Sequence, residues 1–306
     1  MAEESQAAVA QAFDPRVTPA RPDLAAKHLE GKIQAARFVE GRPCEVIEPQ
    51  APLRRAPSPD APLETEALKG ERVTVYEMTD EGWAWAQLAD DSYVGFMPAN
   101  AIGDPGPAPT HKVAALRTLV FPGPSIKLPP TETLALGCRV GVAQFEEPFA
   151  VTVTGQYLPS RHLAPIGARE TDFVCVAERF LDTPYLWGGK TNFGIDCSGL
   201  VQVSLGACGI ACPRDSDMQE RTVGEPISPT IDLSQLARGD LLFWRGHVAI
   251  VRDSSSLIHA NAFHMAVTIE SIAVATTRIR AGGYELTSVR RRAKSGRATG
   301  SGVDES

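Results

Sequence analysis

Residues 182–201 read DTPYLWGGKTNFGIDCSGLV, a turn-rich loop with three glycines that runs straight into an apolar helical pattern. The helix signal continues through CSGLVQVSLGACGI, where Leu200, Val203 and Ala207 fall on one face. Asp196 stands at the N-cap, where a carboxylate accepts backbone N–H bonds. Cys197 then opens the helix. The partial positive charge and open N–H groups of that end favour thiolate, the nucleophilic form of cysteine. A free cysteine is more often a small buried hydrophobe. Here Gly188, Gly189 and Gly194 before it, and Ser198-Gly199 after it, predict an accessible site.

Upstream, RETDFVCVAERFL carries Phe173, Val176, Ala177, Phe180 and Leu181 at helical spacing. Downstream, RGDLLFWRGHVAIVRD predicts two strands with a turn at Arg245-Gly246, and SSLIHAN predicts a third. Helices followed by antiparallel strands make an α+β layout. His247 begins an apolar strand, and His259 follows in the next. If those strands pair as a hairpin through RDSSS, the two imidazoles lie side by side. A thiol nucleophile needs a base, and the base needs a group that orients it. Cys197, His247 and His259 can fill those roles, although two such histidines taken alone read as unrelated core residues. A zinc site drawn from Cys197, Cys208, Cys212, His247 and His259 fits poorly, because structural sites present closely spaced knuckles on a turn.

The N-terminal half has a different texture. Residues 1 to about 20 read as unstructured, and Pro22 to Gly31 as a short helix with Pro at its start and Gly at its end. The proline-rich stretch 49–62 reads as a loop. From Leu63 to Ile102, ERVTVYEM, GWAWAQL and DSYVGFMP predict short strands of a small barrel or sandwich. After the linker GDPGPAP, CRVGVAQF and FAVTVTGQYLP predict more. Met97-Pro98-Ala99-Asn100-Ala101-Ile102 is echoed by Leu158-Pro159-Ser160-Arg161-His162-Leu163, a weak internal repeat that suggests two copies of one β module.

Several separated blocks then converge. Asp182 to Gly189, Gly194 to Val201, Arg238 to Trp244 and Gly246 to Ile250 resemble, in order and spacing, the signature of the NlpC-type cell-wall cysteine peptidases. The resemblance covers most of residues 170–270. It implies a papain-like domain with Cys197 as nucleophile, His247 as base, His259 as the residue that orients it, and Tyr185 lining the site. Both β modules resemble bacterial SH3-like barrels, the first more closely. Arg214-Asp215-Ser216-x-x-Gln219 matches a further family block. Members with such modules resemble recycling enzymes that cut the γ-D-glutamyl–diamino acid bond of short murein peptides with a free N-terminal L-alanine. The resemblance implies Asp196, Ser198, Asp215 and Ser216 as substrate-binding residues, with Tyr93 and an acid from the first module, either Glu64 or Glu66, of which Glu66 is favoured. If that module caps the cleft, glycan-linked stems are excluded.

The resulting organisation is an N-terminal segment (1–45), two SH3-like barrels (46–104 and 105–166), a papain-like peptidase (167–290) and a disordered tail (291–306). With 37 acidic and 30 basic residues, the net charge of −7 argues against a nucleic-acid binder. The N-terminus shows neither the basic nor the apolar region of a signal peptide, and no stretch is apolar enough to span a bilayer, so a cytoplasmic protein is expected. Six scattered cysteines without a CxxC pair agree with a reducing compartment. No cofactor or metal is expected. Two other functions stay open: an acyltransferase or amidase on the same scaffold, and a wall-binding protein without activity.

Overall fold

The alternation in ERVTVYEM and GWAWAQL gives two paired strands, Arg72–Met78 and Trp83–Leu88, whose faces have different fates. Val73, Val75, Ala84, Ala86 and Leu88 enter one core with Cys44, Val46, Leu53 and Met97. Trp85 points the other way and packs with Leu24, Val94 and Phe96. The computed structural model describes residues 13–227 and 232–292, which fall into two units divided after Gly167. In the first unit these strands belong to a seven-stranded sheet in the order 63–68, 50–54, 94–98, 83–88, 72–78, 42–46, 102–103.

Several expectations change here. No helix forms over Pro22–Gly31. Instead Ala25–Ala26 pairs with Phe38–Val39, and only Lys27–Leu29 makes a 3-10 turn. The physical reason is burial: Leu24, Ala25 and Ala26 are all fully buried in succession, which an amphipathic helix would not do. The segment covers the tryptophan face of the sheet. The Arg21 guanidinium lies 4.4 Å from the Trp85 ring centroid and pairs with Glu77 at 2.5 Å. Residues 13–20 are ordered against the sheet as well, since Val94 N–H donates to the Arg16 carbonyl at 2.7 Å. The first twelve residues lie outside the described range. The expected loop 49–62 contains the strand Gln50–Arg54. Pro52 is tolerated there because it faces Glu66 across one ladder, while the ladder to Val94–Pro98 begins only at Arg54.

The second β stretch forms three small sheets rather than one: 111–113 with 139–140 and 163–165; 117–120 with 132–135; and 142–146 with 149–152 and 157–159. Val113, Val120, Leu134, Cys138 and Leu158 make its core, joined by Leu68 of the first module. The repeated motif is real as a local corner. In both copies a strand ends in proline, turns through a 3-10 segment (Ala99–Ala101, Ser160–His162) and enters a short strand. Around that corner the strand layouts differ.

The second unit contains helices α1 (Phe173–Glu178), α2 (Cys197–Ala207), α3 (Ser216–Thr222) and α4 (Ile272–Ala281). Its sheet is built from β1 (Glu225–Ile227), β2 (Leu241–Trp244), β3 (His247–Val251), β4 (Ser256–Asn261), β5 (Ala266–Ser271) and β6 (Leu286–Arg291), antiparallel throughout, in the order β1-β6-β2-β3-β4-β5. Leu242, Trp244, Ala249, Val251, Leu257 and Val289 form a core with Ile272 and Ala275 of α4. Helix α2 packs against β3 and β4. The supposed tail begins as structure: Arg291 ends β6 and pairs with Asp240 at 2.6 Å, and residues 293–306 lie outside the described range. Among the described residues no helix is long and apolar enough to cross a membrane.

Candidate active site

Helix α2 begins where expected, and Asp196 caps it by accepting the Gly199 N–H at 2.7 Å. Cys197 therefore sits in the first turn. The hairpin through RDSSS also forms, with Ile250 opposite Ile258 and Val251 opposite Leu257. Toward His247 the β3–β4 ladder is not continued. There the Val248 backbone is near enough to the Cys197 thiol to favour its ionised form, which places the thiol at the start of β3, where His247 is the preceding residue. His247 Nε2 lies 2.9 Å from His259 Nδ1.

The series does not end at His259. Its Nε2 lies 2.7 Å from Glu270 Oε2, and Arg278 Nη2 donates to the same oxygen at 2.5 Å. Arg278 in turn stands 4.4 Å over the Phe263 ring. Sequence reasoning missed Glu270 and Arg278. A signal existed in the alternation of AVTIES, which sets Thr268 and Glu270 against Val267 and Ile269. Without the β4–β5 register it did not point to His259; the structure sets His259 opposite Thr268, one diagonal step from Glu270.

The electrostatics differ from the sequence expectation. Cys197 is only 6% exposed. Burial, and then the neighbouring Asp196 carboxylate, push its thiol up to about 12. The helix end that was expected to favour thiolate is already occupied by Asp196. Burial also pushes His247 down to about 3, with His259 and Arg278 adding to the fall and Glu270 opposing it. Both shifts favour the neutral thiol and the neutral imidazole. The glycines expected to leave the site open instead let backbone pack tightly: a Cβ on Gly199 would meet the Gly189 carbonyl oxygen at 2.4 Å.

The substrate-binding candidates separate. Asp196, expected to meet an ammonium group, already meets several donors of the protein itself. It accepts from Gly188 N–H at 2.8 Å, from the Ser198 hydroxyl at 3.2 Å and from both terminal nitrogens of Arg214 at 2.9 and 2.8 Å, besides Gly199. Ser198 is drawn into the same buried cluster, its hydroxyl 2.8 Å from Arg214 Nη1. Arg214, 1% exposed and the first residue of the Arg214-Asp215-Ser216 block, had no role assigned from the sequence and holds both in place. Gln219 from the same block donates to the Ser198 carbonyl at 2.9 Å. Asp215 holds the N-cap position of α3 and Ser216 is its first residue, both half-buried. Tyr185 is half-buried beside the nucleophile; burial, then Cys197 and Asp196, raise its hydroxyl pKa. In the first unit, Tyr93 lies against Glu64, with its hydroxyl 3.4 Å from Glu64 Oε2. Glu66, favoured on sequence grounds, is buried and bonded to Gln50. Among the described residues no group of three or more His, Cys, Asp or Glu is arranged to hold a metal ion.

A helix-borne cysteine beside a hydrogen-bonded pair of histidines has clear relatives. The NlpC/P60 family model matches residues 182–280, and that of the bacterial dipeptidyl-peptidase SH3 domain matches residues 53–102. The chain carries an NlpC/P60 domain. That family is one of cysteine peptidases, and the bacterial SH3 domain precedes it in the sequence. Dipeptidyl-peptidase 6 of Lysinibacillus sphaericus is 29% identical over 74% of this chain and 90% of its own. The γ-D-glutamyl-L-lysine dipeptidyl-peptidase of Bacillus cereus is 27% identical over 68% of this chain and 70% of its own. The solved structure of an NlpC/P60 family protein from Bacillus cereus shares the fold, with a TM-score of 0.68 at 21% identity, covering 82% of this chain and 99% of that one.

Proposed function

We propose that this NlpC/P60 protein hydrolyses the γ-D-glutamyl–diamino acid bond of short cell-wall peptides that carry a free N-terminal L-alanine, in the cytoplasmic recycling of those peptides. The observation that carries the reaction is the hydrogen-bonded series from His247 through His259 to Glu270, with Cys197 at the start of the strand that carries His247, which together offer nucleophile, base and orienting groups. The choice of bond rests on the relatives named for it.

The neutral pair dictates how the reaction starts. Cys197 Sγ attacks the γ-carbonyl carbon as its proton passes to Nδ1 of His247, the ring nitrogen not engaged with His259. The oxyanion that forms is met by the Cys197 backbone N–H at the start of α2 and by the Tyr185 hydroxyl. Collapse breaks the C–N bond. The diamino acid leaves with the proton from His247, and a thioester remains on Cys197. His247 then takes a proton from water, whose oxygen attacks the thioester. The L-Ala-γ-D-Glu acid departs and the thiol recovers its proton.

The test is mass spectrometry of L-Ala-γ-D-Glu-diaminopimelate, its lysine counterpart and an N-acetylated copy, each incubated with wild type and Cys197→Ala. Release of L-Ala-γ-D-Glu from the free-amine peptides by wild type alone is the expected result. Equal cleavage of the acetylated copy would remove the amine requirement. Absence of any cleavage would overturn the substrate assignment.

A further inference from the structure

A cysteine and two histidines leave one property of the base undetermined. A neutral imidazole carries its proton on one nitrogen and a lone pair on the other. The 2.9 Å contact between His247 Nε2 and His259 Nδ1 can be made in two ways. If His259 donates, His247 must hold its own proton on Nδ1, and it cannot accept one from the thiol there. If His247 donates through Nε2, its Nδ1 carries the lone pair and is a base.

Glu270 breaks this symmetry. An ionised carboxylate only accepts hydrogen bonds, and the Glu270 carboxylate lies 2.7 Å from His259 Nε2. His259 must therefore keep its proton on Nε2. Its Nδ1 is then a lone pair, so the contact to His247 is satisfied only when His247 donates from Nε2. The proton of each ring is fixed in turn, and Nδ1 of His247 is left bare. We propose that Glu270, pinned by Arg278, is a positioning residue that sets the tautomer of both histidines and thereby makes His247 Nδ1 the general base.

The surroundings agree. Arg278 donates to the same Glu270 oxygen at 2.5 Å. Burial would raise the Glu270 pKa, but the hydrogen bonds from His259 and Arg278 hold it at about 2, so the carboxylate is ionised at any working pH. His259 is 1% exposed, and that burial opposes a second proton on its ring. Thr268, opposite His259 on β5, is taken by Asn261 at 2.8 Å and does not compete. His264 Nδ1, 3.9 Å from Glu270, is the other titratable group facing the carboxylate.

The inference rests on the catalytic role proposed for His247, but its main readout needs no substrate. Two-bond 1H–15N correlation spectra of 15N-labelled protein near neutral pH distinguish protonated from bare imidazole nitrogens. In wild type, His247 and His259 should both show protonated Nε2 and bare Nδ1. A wild-type spectrum with bare Nε2 on His247 would overturn the proposal, whatever the substrate proves to be. Glu270→Gln has nearly the same shape but can donate or accept, so it should give mixed tautomer shifts at His247. Neutralising the acid beside a catalytic histidine lowers kcat about 10⁴-fold; a Gln one ring further away that can still accept should lower it on the order of 10- to 100-fold, with KM within about twofold. Unchanged shifts and unchanged kcat in that variant would equally sink the idea. If the variant fails to fold, the wild-type spectrum alone decides.

Discussion

Two carboxylate–arginine pairs stand near the nucleophile and its base, and their surroundings give them opposite consequences. Asp196–Arg214 is sealed, with side chains 9% and 1% exposed. Glu270–Arg278 is only partly covered, at 11% and 25%. Asp196 divides its two oxygens among helix cap, serine and arginine, and its charge pushes the neighbouring thiol up. Glu270 aims one oxygen at a single imidazole, and its charge opposes the fall of the His247 pKa. The first pair holds the N-terminus of α2 in place. The second acts on the protons of the reaction. An acid near an active site is thus not defined by its charge but by which donors it has left to meet.

Breaking the sealed pair should have the largest effect. Arg214→Met keeps the volume roughly but leaves Asp196 as a buried charge without its main partner. Removing one member of a buried pair costs about 3–5 kcal/mol. Urea or thermal unfolding followed by circular dichroism should register that loss, with activity falling because the fold fails. A variant within about 1 kcal/mol of wild type would mean that backbone and hydroxyl donors suffice for Asp196, and the contrast between the pairs would weaken.

The same comparison explains what could be read from the sequence. Cys197, His247 and His259 were legible because each sits in a contiguous pattern, a helix start or a strand, that fixes its own placement. Asp196 is legible as a cap, but the other donors on its carboxylate are not. Nothing local to residue 196 reveals that Arg214, beyond the end of α2, fills its oxygens. Glu270 was invisible because its role depends on the β4–β5 register, which is a long-range property. The missed helix at Pro22–Gly31 has the same origin. Its Pro and Gly signals are sound locally, but Leu24 is buried with Trp85, and Ala25 and Ala26 are buried in a strand paired with Phe38–Val39. The second β module shows the limit of repeats: a shared six-residue corner did not carry the surrounding strands with it.

The neutral resting pair gives a second, intermediate prediction. With the Cys197 thiol at about 12, only about one part in 10⁵ is thiolate at pH 7. Alkylation of Cys197 by iodoacetamide should therefore rise about tenfold per pH unit between pH 7 and 9. Peptide mapping by mass spectrometry separates it from the exposed Cys175. A pH-independent rate across that window would show a preformed thiolate–imidazolium pair. The helix end would then govern the thiol more than burial and Asp196 do.

Breaking the open pair should have the smallest effect on the fold and a specific one on acid tolerance. Arg278→Gln removes a partly exposed ion pair and the cation over Phe263, together worth about 1–2 kcal/mol at most. Glu270 keeps His259 as a donor, so the tautomers hold and kcat should fall less than in Glu270→Gln. The Glu270 pKa, held at about 2 against an ordinary value of 4.5, should rise. A carboxylate with a depressed folded pKa contributes stability that is present above the unfolded value and is lost as pH falls toward the folded one. In wild type that loss is spread between about pH 4.5 and 2. Arg278→Gln narrows the window from below, so its stability relative to wild type should be lowest above pH 4.5 and the gap should close as the pH drops through it. Unfolding free energies measured from pH 7 to pH 2 test this directly. A gap that stays constant with pH would mean that Arg278 acts through packing on Phe263, and that His259 alone keeps Glu270 ionised.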